Sequence, residues 1–179
     1  MRRVVLACAL AFLAFSSSSA QRATPPAPPS GDPIMTIETA RGLFEIRFFR
    51  AEAPKSVAQI LQLAGRNFYR GQRIHRVERS LVQFGDPKSR DVSYREWWGR
   101  QSSGNPIGVA EFNKRLHERG AVGLAHGGDA RGADSQLYIL KAASPALNGK
   151  HVVVGQVIKG MDVVDKLQVA DILKNVTVK

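Results

Sequence analysis

Apolar and polar residues alternate with a period of two in several short stretches, and this alternation organises the chain. Between Leu43 and Phe49, the residues Phe44, Ile46 and Phe48 alternate with Glu45 and Arg47, as expected of a strand with one buried face. Ile34 to Thr39 precedes it across Ala40-Arg41-Gly42, giving a strand, turn and strand. Further short strands are predicted at Ile74 to Val77, Leu81 to Phe84, Val122 to Ala125, Leu137 to Leu140 and Val152 to Ile158. A last strand carries Val176 and Val178.

The period changes twice. Val57, Ile60, Leu61 and Ala64 share a helical face that opens at Pro54, where a missing N–H costs nothing, and Gly65 ends it. Met161, Val164 and Leu167 predict a second helix over Gly160 to Gln168. Lys88 to Asn105 is polar, arginine-rich and without periodicity despite Trp97 and Trp98, and predicts a long surface loop. Many short strands with two separated helices suggest a closed antiparallel barrel capped by helices.

The 179 residues suit one domain with a substantial core. Arg2 and Arg3 precede the apolar run Val4 to Phe15, and Ser18-Ser19-Ala20 supplies small residues. This pattern predicts a secretory signal peptide over 1–20, cleaved after Ala20. The run is shorter than the roughly 20 apolar residues that span a bilayer. Residues 21–33, rich in proline and small side chains, predict a flexible linker, leaving a domain over 34–179. The expected location is the periplasm or the exterior, with no membrane span after cleavage.

Cys8 leaves with the signal, so the mature chain has no disulfide and no thiol nucleophile. The formal charge of +11 falls to +9 when Arg2 and Arg3 are removed. No basic cluster interleaved with aromatics accompanies that charge, so a nucleic-acid partner is not expected. His75, His117, His126 and His151 include no i, i+4 pair, which argues against a zinc helix. Ser135 lacks a nucleophile elbow, and the glycine-rich run from Gly127 to Gly132 lacks the Lys-Ser/Thr ending of a phosphate loop. No metal or cofactor is expected.

Ile74-His75-Arg76-Val77 followed by Gln83-Phe84-Gly85-Asp86-Pro87 resembles the most diagnostic segment of the cyclophilin family of peptidyl-prolyl isomerases. Gly123-Leu124-Ala125-His126 with Ser135-Gln136-Leu137-Tyr138-Ile139, and Leu147-Asn148-Gly149-Lys150-His151-Val152-Val153, match two further segments in the family's order. The resemblance implies a mainly β, closed, eight-stranded antiparallel barrel with a helix over each end. It implies prolyl isomerisation with Arg76 and Gln83 as catalytic residues. It assigns the proline socket to Leu81, Val82, Tyr138 and Leu147, and places Gln136, His126 and His151 along the groove. His75 is expected to support the site through a buried hydrogen bond.

Departures from the family pattern are also visible. Glu78-Arg79-Ser80 shortens the segment after Arg76, which leaves Leu81 and Val82 as alternatives for one socket position. Two readings follow: a monomeric isomerase acting on proline-containing segments of unfolded exported proteins, or a module of the same fold that binds such segments with little turnover. In a third reading the basic loop from Lys88 to Arg100 docks an acidic partner or an envelope surface.

Overall fold

Residues Gly31–Lys179 are described by a computed structural model. The signal peptide expected over 1–20 and most of the linker expected over 21–33 lie outside the described residues. Eight antiparallel strands form one sheet in the order β3-β4-β6-β5-β7-β2-β1-β8. They are β1 Ile34–Thr39, β2 Gly42–Phe48, β3 Arg76–Val77, β4 Leu81–Phe84, β5 Ala121–Leu124, β6 Leu137–Leu140, β7 Val153–Lys159 and β8 Asn175–Val178. Every predicted strand is present, and β3 shrinks to two residues.

Alternation decides what faces inward. Met35, Ile37, Phe44, Ile46, Phe48, Phe84 and their counterparts on the other strands point into one buried cluster. Register slips at Glu45/Ile46 and Val122/Gly123 help curl the sheet around it. β3 and β8, at the two ends of the strand order, do not pair with each other. The segments that precede them do meet: Gly71 N–H donates to Leu173 O (2.8 Å), Leu173 N–H to Gln72 O (2.8 Å), Ile74 N–H to Asp171 O (2.9 Å) and Ala170 N–H to Ile74 O (2.8 Å).

Helix α1, Pro54–Gly65, buries Val57, Ile60, Leu63 and Ala64 in the same cluster, with Leu61 only partly covered. Its own N-terminal residue provides no cap. The Glu111 carboxylate does so instead, accepting from Lys55 N–H at 3.0 Å and Ser56 N–H at 2.8 Å. Helix α2, Met161–Lys166, is shorter than predicted and adds Val163 and Val164 to the interior. Among the described residues no helix is long and apolar enough to cross a membrane.

The stretch predicted as a loop is ordered by polar contacts. It contains 3₁₀ turns over Pro87–Arg90 and Val92–Trp97. Asp86 is fully buried, and its carboxylate accepts from Lys88 N–H (2.7 Å), Gly99 N–H (2.6 Å) and Gln101 N–H (3.2 Å). Gly85 makes this turn possible, because a Cβ there would lie 2.2 Å from Ser135 O at a φ of +111°. Hydrophobic periodicity carries no trace of such an anchor.

Candidate active site

Strand parity and pairing assemble the predicted residues. Arg76 on β3 stands opposite Gln83 on β4, and Gln83 stands opposite Tyr138 on β6. Leu81 shares its parity with Gln83, so it emerges on the outer face. There it joins Tyr138, Leu140, Ala121 and Val153 in a second apolar cluster, flanked by the partly buried Leu147 and Ala125. Val82 has the opposite parity. It is fully buried in the interior cluster, so of the two alternatives only Leu81 lies on the face that carries Gln83 and Tyr138.

A directional chain of hydrogen bonds sets the polar side chains. The carbonyls of Gly99 and Gln101 can only accept, so Gln136 Nε2 donates to both, at 2.9 and 2.8 Å. Gln136 Oε1 then accepts from Gln83 Nε2 at 2.7 Å, and Gln83 Oε1 accepts from Arg76 at 3.1 Å. Both hydrogens of the Gln136 amide are committed, so its polar end positions Gln83. Gln83 keeps one N–H that none of these bonds uses. Beside this chain lies a cavity of about 310 Å³ lined by Gln83, Gln136, Gly99, Arg100, Ala125 and His126, among others.

Glu78 was not anticipated from the sequence as part of the site. Its Oε1 accepts from Arg76 Nε at 2.7 Å and lies 2.6 Å from a terminal guanidinium nitrogen. Glu78 and Gln83 therefore hold the guanidinium from two sides while its side chain stays half exposed.

Three of the four histidines form a row with Tyr138. Asn148 Oδ1 accepts from His117 N–H at 2.9 Å, which identifies it as the oxygen, so the His117 ring nitrogen 3.0 Å away is Nδ1–H. In the neutral ring Nε2 then accepts from the Tyr138 hydroxyl at 2.7 Å. Burial lowers the His117 pKa, in keeping with the neutral form. His117 is 21 residues from Tyr138 in the chain, and no spacing rule links them. His151 stands edge-on to Tyr138 with ring centroids 5.8 Å apart and stacks on His126 at 4.1 Å. His126 Nδ1 accepts from Gly128 N–H, so Nε2 donates to Lys150 O at 3.0 Å. His151 Nδ1 donates to Leu124 O at 3.2 Å. Burial also lowers the His151 pKa.

His75 departs from expectation. Its ring nitrogens are buried without a hydrogen-bond partner among the described residues, and the ring packs against the backbone at Gly99. Burial lowers its pKa to about 4, against the opposing pull of the Asp86 charge. The unfolded chain takes up a proton near pH 6.5 that the folded chain refuses, so stability is full above 6.5 and declines as pH falls toward 4. The expected loss is about 3 kcal/mol across that window. Urea denaturation at steps of pH measures it, and His75→Leu is expected to flatten the decline. An equally steep decline in that variant would contradict the assignment.

Known proteins bear on this geometry. Residues 34–179 match the model of the family described as "Cyclophilin type peptidyl-prolyl cis-trans isomerase/CLD". The "Probable peptidyl-prolyl cis-trans isomerase" of Brucella abortus is 36% identical over 175 residues, covering 96% of this chain and 88% of the relative. A peptidyl-prolyl cis-trans isomerase of Arabidopsis thaliana is 30% identical over 143 residues, covering 78% of this chain and 83% of the relative. The fold is similar to a Cryptosporidium parvum cyclophilin type isomerase, with a TM-score of 0.70 at 20% identity over 83% of this chain and 98% of that one. A structure of that protein determined in the presence of the dipeptide Ala-Pro gives 0.69 at 20% identity, over 82% of this chain and 98% of that one. The match over nearly the whole described region, with Arg76 and Gln83 paired beside an apolar patch, shows that this chain belongs to the cyclophilin-type peptidyl-prolyl cis-trans isomerase family.

Proposed function

We propose that this isomerase lowers the barrier to X-Pro rotation with Arg76 as the electrostatic catalyst, Gln83 as its partner and Leu81, Tyr138 and Leu147 as the proline socket. Amide resonance sets the barrier at about 18–20 kcal/mol, and rotation requires the nitrogen lone pair to leave conjugation. A freed lone pair accepts a hydrogen bond. Arg76 donates it, from an N–H that neither Glu78 nor Gln83 occupies, and the permanent charge makes that donation strong. The unused Gln83 N–H holds the substrate carbonyl. His126 and His151 border the groove, and Gln136 keeps Gln83 in place. No bond is made or broken; the catalysis is positional and electrostatic.

The observation that carries this reading is the oriented chain from the Gly99 and Gln101 carbonyls through Gln136 and Gln83 to Arg76, on the same face as the smaller apolar cluster around Leu81 and Tyr138. Exchange NMR on a proline peptide at substoichiometric protein tests it. Cross-peaks between cis and trans signals are expected; shifted signals without exchange would favour the binding module instead.

Two finer points belong to the same reading. The curled sheet acts as a closed barrel, supported by the four backbone bonds between 71–74 and 170–173. The protein works on unfolded exported chains, supported by the signal-like pattern of residues 1–20. Mass spectrometry of the periplasmic form is expected to find a chain beginning at Gln21, and uncleaved protein retained in the cytosol would count against export.

A further inference from the structure

The loop between Asp86 and Ser103 holds a second recess that the isomerase site does not use. Lys88, Tyr94, Trp97 and Gln101 line about 170 Å³. Tyr94 and Trp97 are 44% and 56% exposed, unusual for rings this large in an otherwise well-packed domain. Each carries a cation: Lys88 Nζ lies 4.5 Å from the Tyr94 ring centre, and the Arg100 guanidinium lies 4.9 Å from that of Trp97.

Two features tie this recess to the active site. Gln101 lines both the recess and the 310 Å³ cavity, and Arg100 lines the cavity while covering the Trp97 ring. The loop is also held rigidly: the buried Asp86 carboxylate grips Gly99 and Gln101, Trp98 Nε1 donates to Asp91 O at 3.0 Å, and Gln101 O accepts from Gln136. A polypeptide seated at Arg76 and crossing the cavity meets a preformed surface of aromatic faces topped by positive charge. Opposing charge is limited. Of the three carboxylates in the segment, Asp86 is buried and committed to backbone N–H groups, Asp91 accepts from the Ser93 N–H and hydroxyl at 2.8 and 2.7 Å and also feels the Lys88 charge, and Glu96 is the third.

We propose that this recess is an accessory subsite for an acidic side chain of the polypeptide undergoing isomerisation, a glutamate or aspartate a few residues from the proline. The methylenes of such a side chain pack on Trp97 while its carboxylate meets Lys88 and Arg100. The proposal rests on the isomerase site assigned above and adds sequence preference to it. A carboxylate fits where a basic side chain does not, because a cation already stands over each ring, while the exposed remainder of Trp97 takes the methylenes.

Peptides that share one X-Pro bond and carry a single Glu, or Gln in its place, at successive positions on either side of the proline test the idea. At one position or two neighbouring ones, Glu is expected to lower KM about three- to tenfold relative to Gln, with kcat unchanged. Trp97→Ala and Lys88→Met should each abolish this advantage while leaving turnover of the all-Gln peptide unaltered. Trp97→Ala is decisive because it removes no charge. A Glu advantage that is absent everywhere overturns the proposal, as does one that is uniform along the peptide and survives Trp97→Ala, the mark of general attraction to a basic protein. Failure of the wild-type protein to turn over the all-Gln peptide would overturn the underlying site assignment as well.

Discussion

Arg76→Ala is expected to lower kcat/KM for a proline peptide by about a hundred- to a thousandfold, equivalent to roughly 3–4 kcal/mol of transition-state stabilisation. The groups that touch it cannot take over its task. Glu78 is anionic, the two glutamines are neutral, and the amide nitrogen becomes a useful acceptor only in the twisted state. Stability should scarcely change, because the guanidinium is half exposed and its pairing with Glu78 is a surface ion pair. Arg76→Lys keeps the charge but cannot span both Glu78 and Gln83 while still donating to substrate, so it should recover only a small part of the rate. Protease-coupled kinetics with parallel thermal melts measures both effects. Near-normal rates in a folded Arg76→Ala protein would remove the basis of the mechanism.

The second large effect is expected from a methyl group. A Cβ on Gly123 would lie 2.3 Å from both Cζ and Oη of Tyr138 and 2.8 Å from Cε2. The ring cannot retreat easily: it is 4% exposed, its hydroxyl is bonded to His117, and His151 stands against it. Gly123→Ala therefore drives Tyr138 out of the socket and breaks the hydroxyl contact. The expected costs are about 3 kcal/mol of stability and at least a tenfold rise in KM. Gly65→Ala is the matching control, since a Cβ there meets nothing within 4 Å. Equal denaturation midpoints for the two variants would show that β5 and β6 separate more readily than their packing implies.

Much of this architecture can be read from the chain because its cause is local. Phe44, Ile46 and Phe48 announce a half-buried strand through their own spacing, and Pro54 through Gly65 announces a helix in the same way. Parity alone separates Leu81 from Val82 by putting Leu81 on the face of Gln83 and Tyr138, although the motif by itself left that choice open. The motif around Arg76 likewise survives intact, since two paired residues on β3 suffice to aim it.

What stayed hidden depends on polar groups that meet across long stretches of chain. Asp86 entered only as part of the motif that follows Gln83, yet its carboxylate anchors the loop that supports Gln136. His75 suggested a hydrogen bond, and its buried ring nitrogens meet no partner in good geometry among the described residues, although Gln136 lies near enough to pull its pKa upward. Buried hydrogen bonds of this kind leave no period to detect, and they need only one donor and one acceptor at the right point in space.

The amino-acid order by itself determined the strands, the helices, the family and the cation at residue 76, because side-chain periodicity and short motifs act within a few residues of one another. Tertiary structure alone decided that Gln136 serves Gln83, that His117 accepts from Tyr138, and that the Asp86 carboxylate holds Gly99 and Gln101. Each of those outcomes arises when the sheet curls and brings distant polar groups within hydrogen-bonding reach, and the hydrophobic pattern that curls it does not specify them.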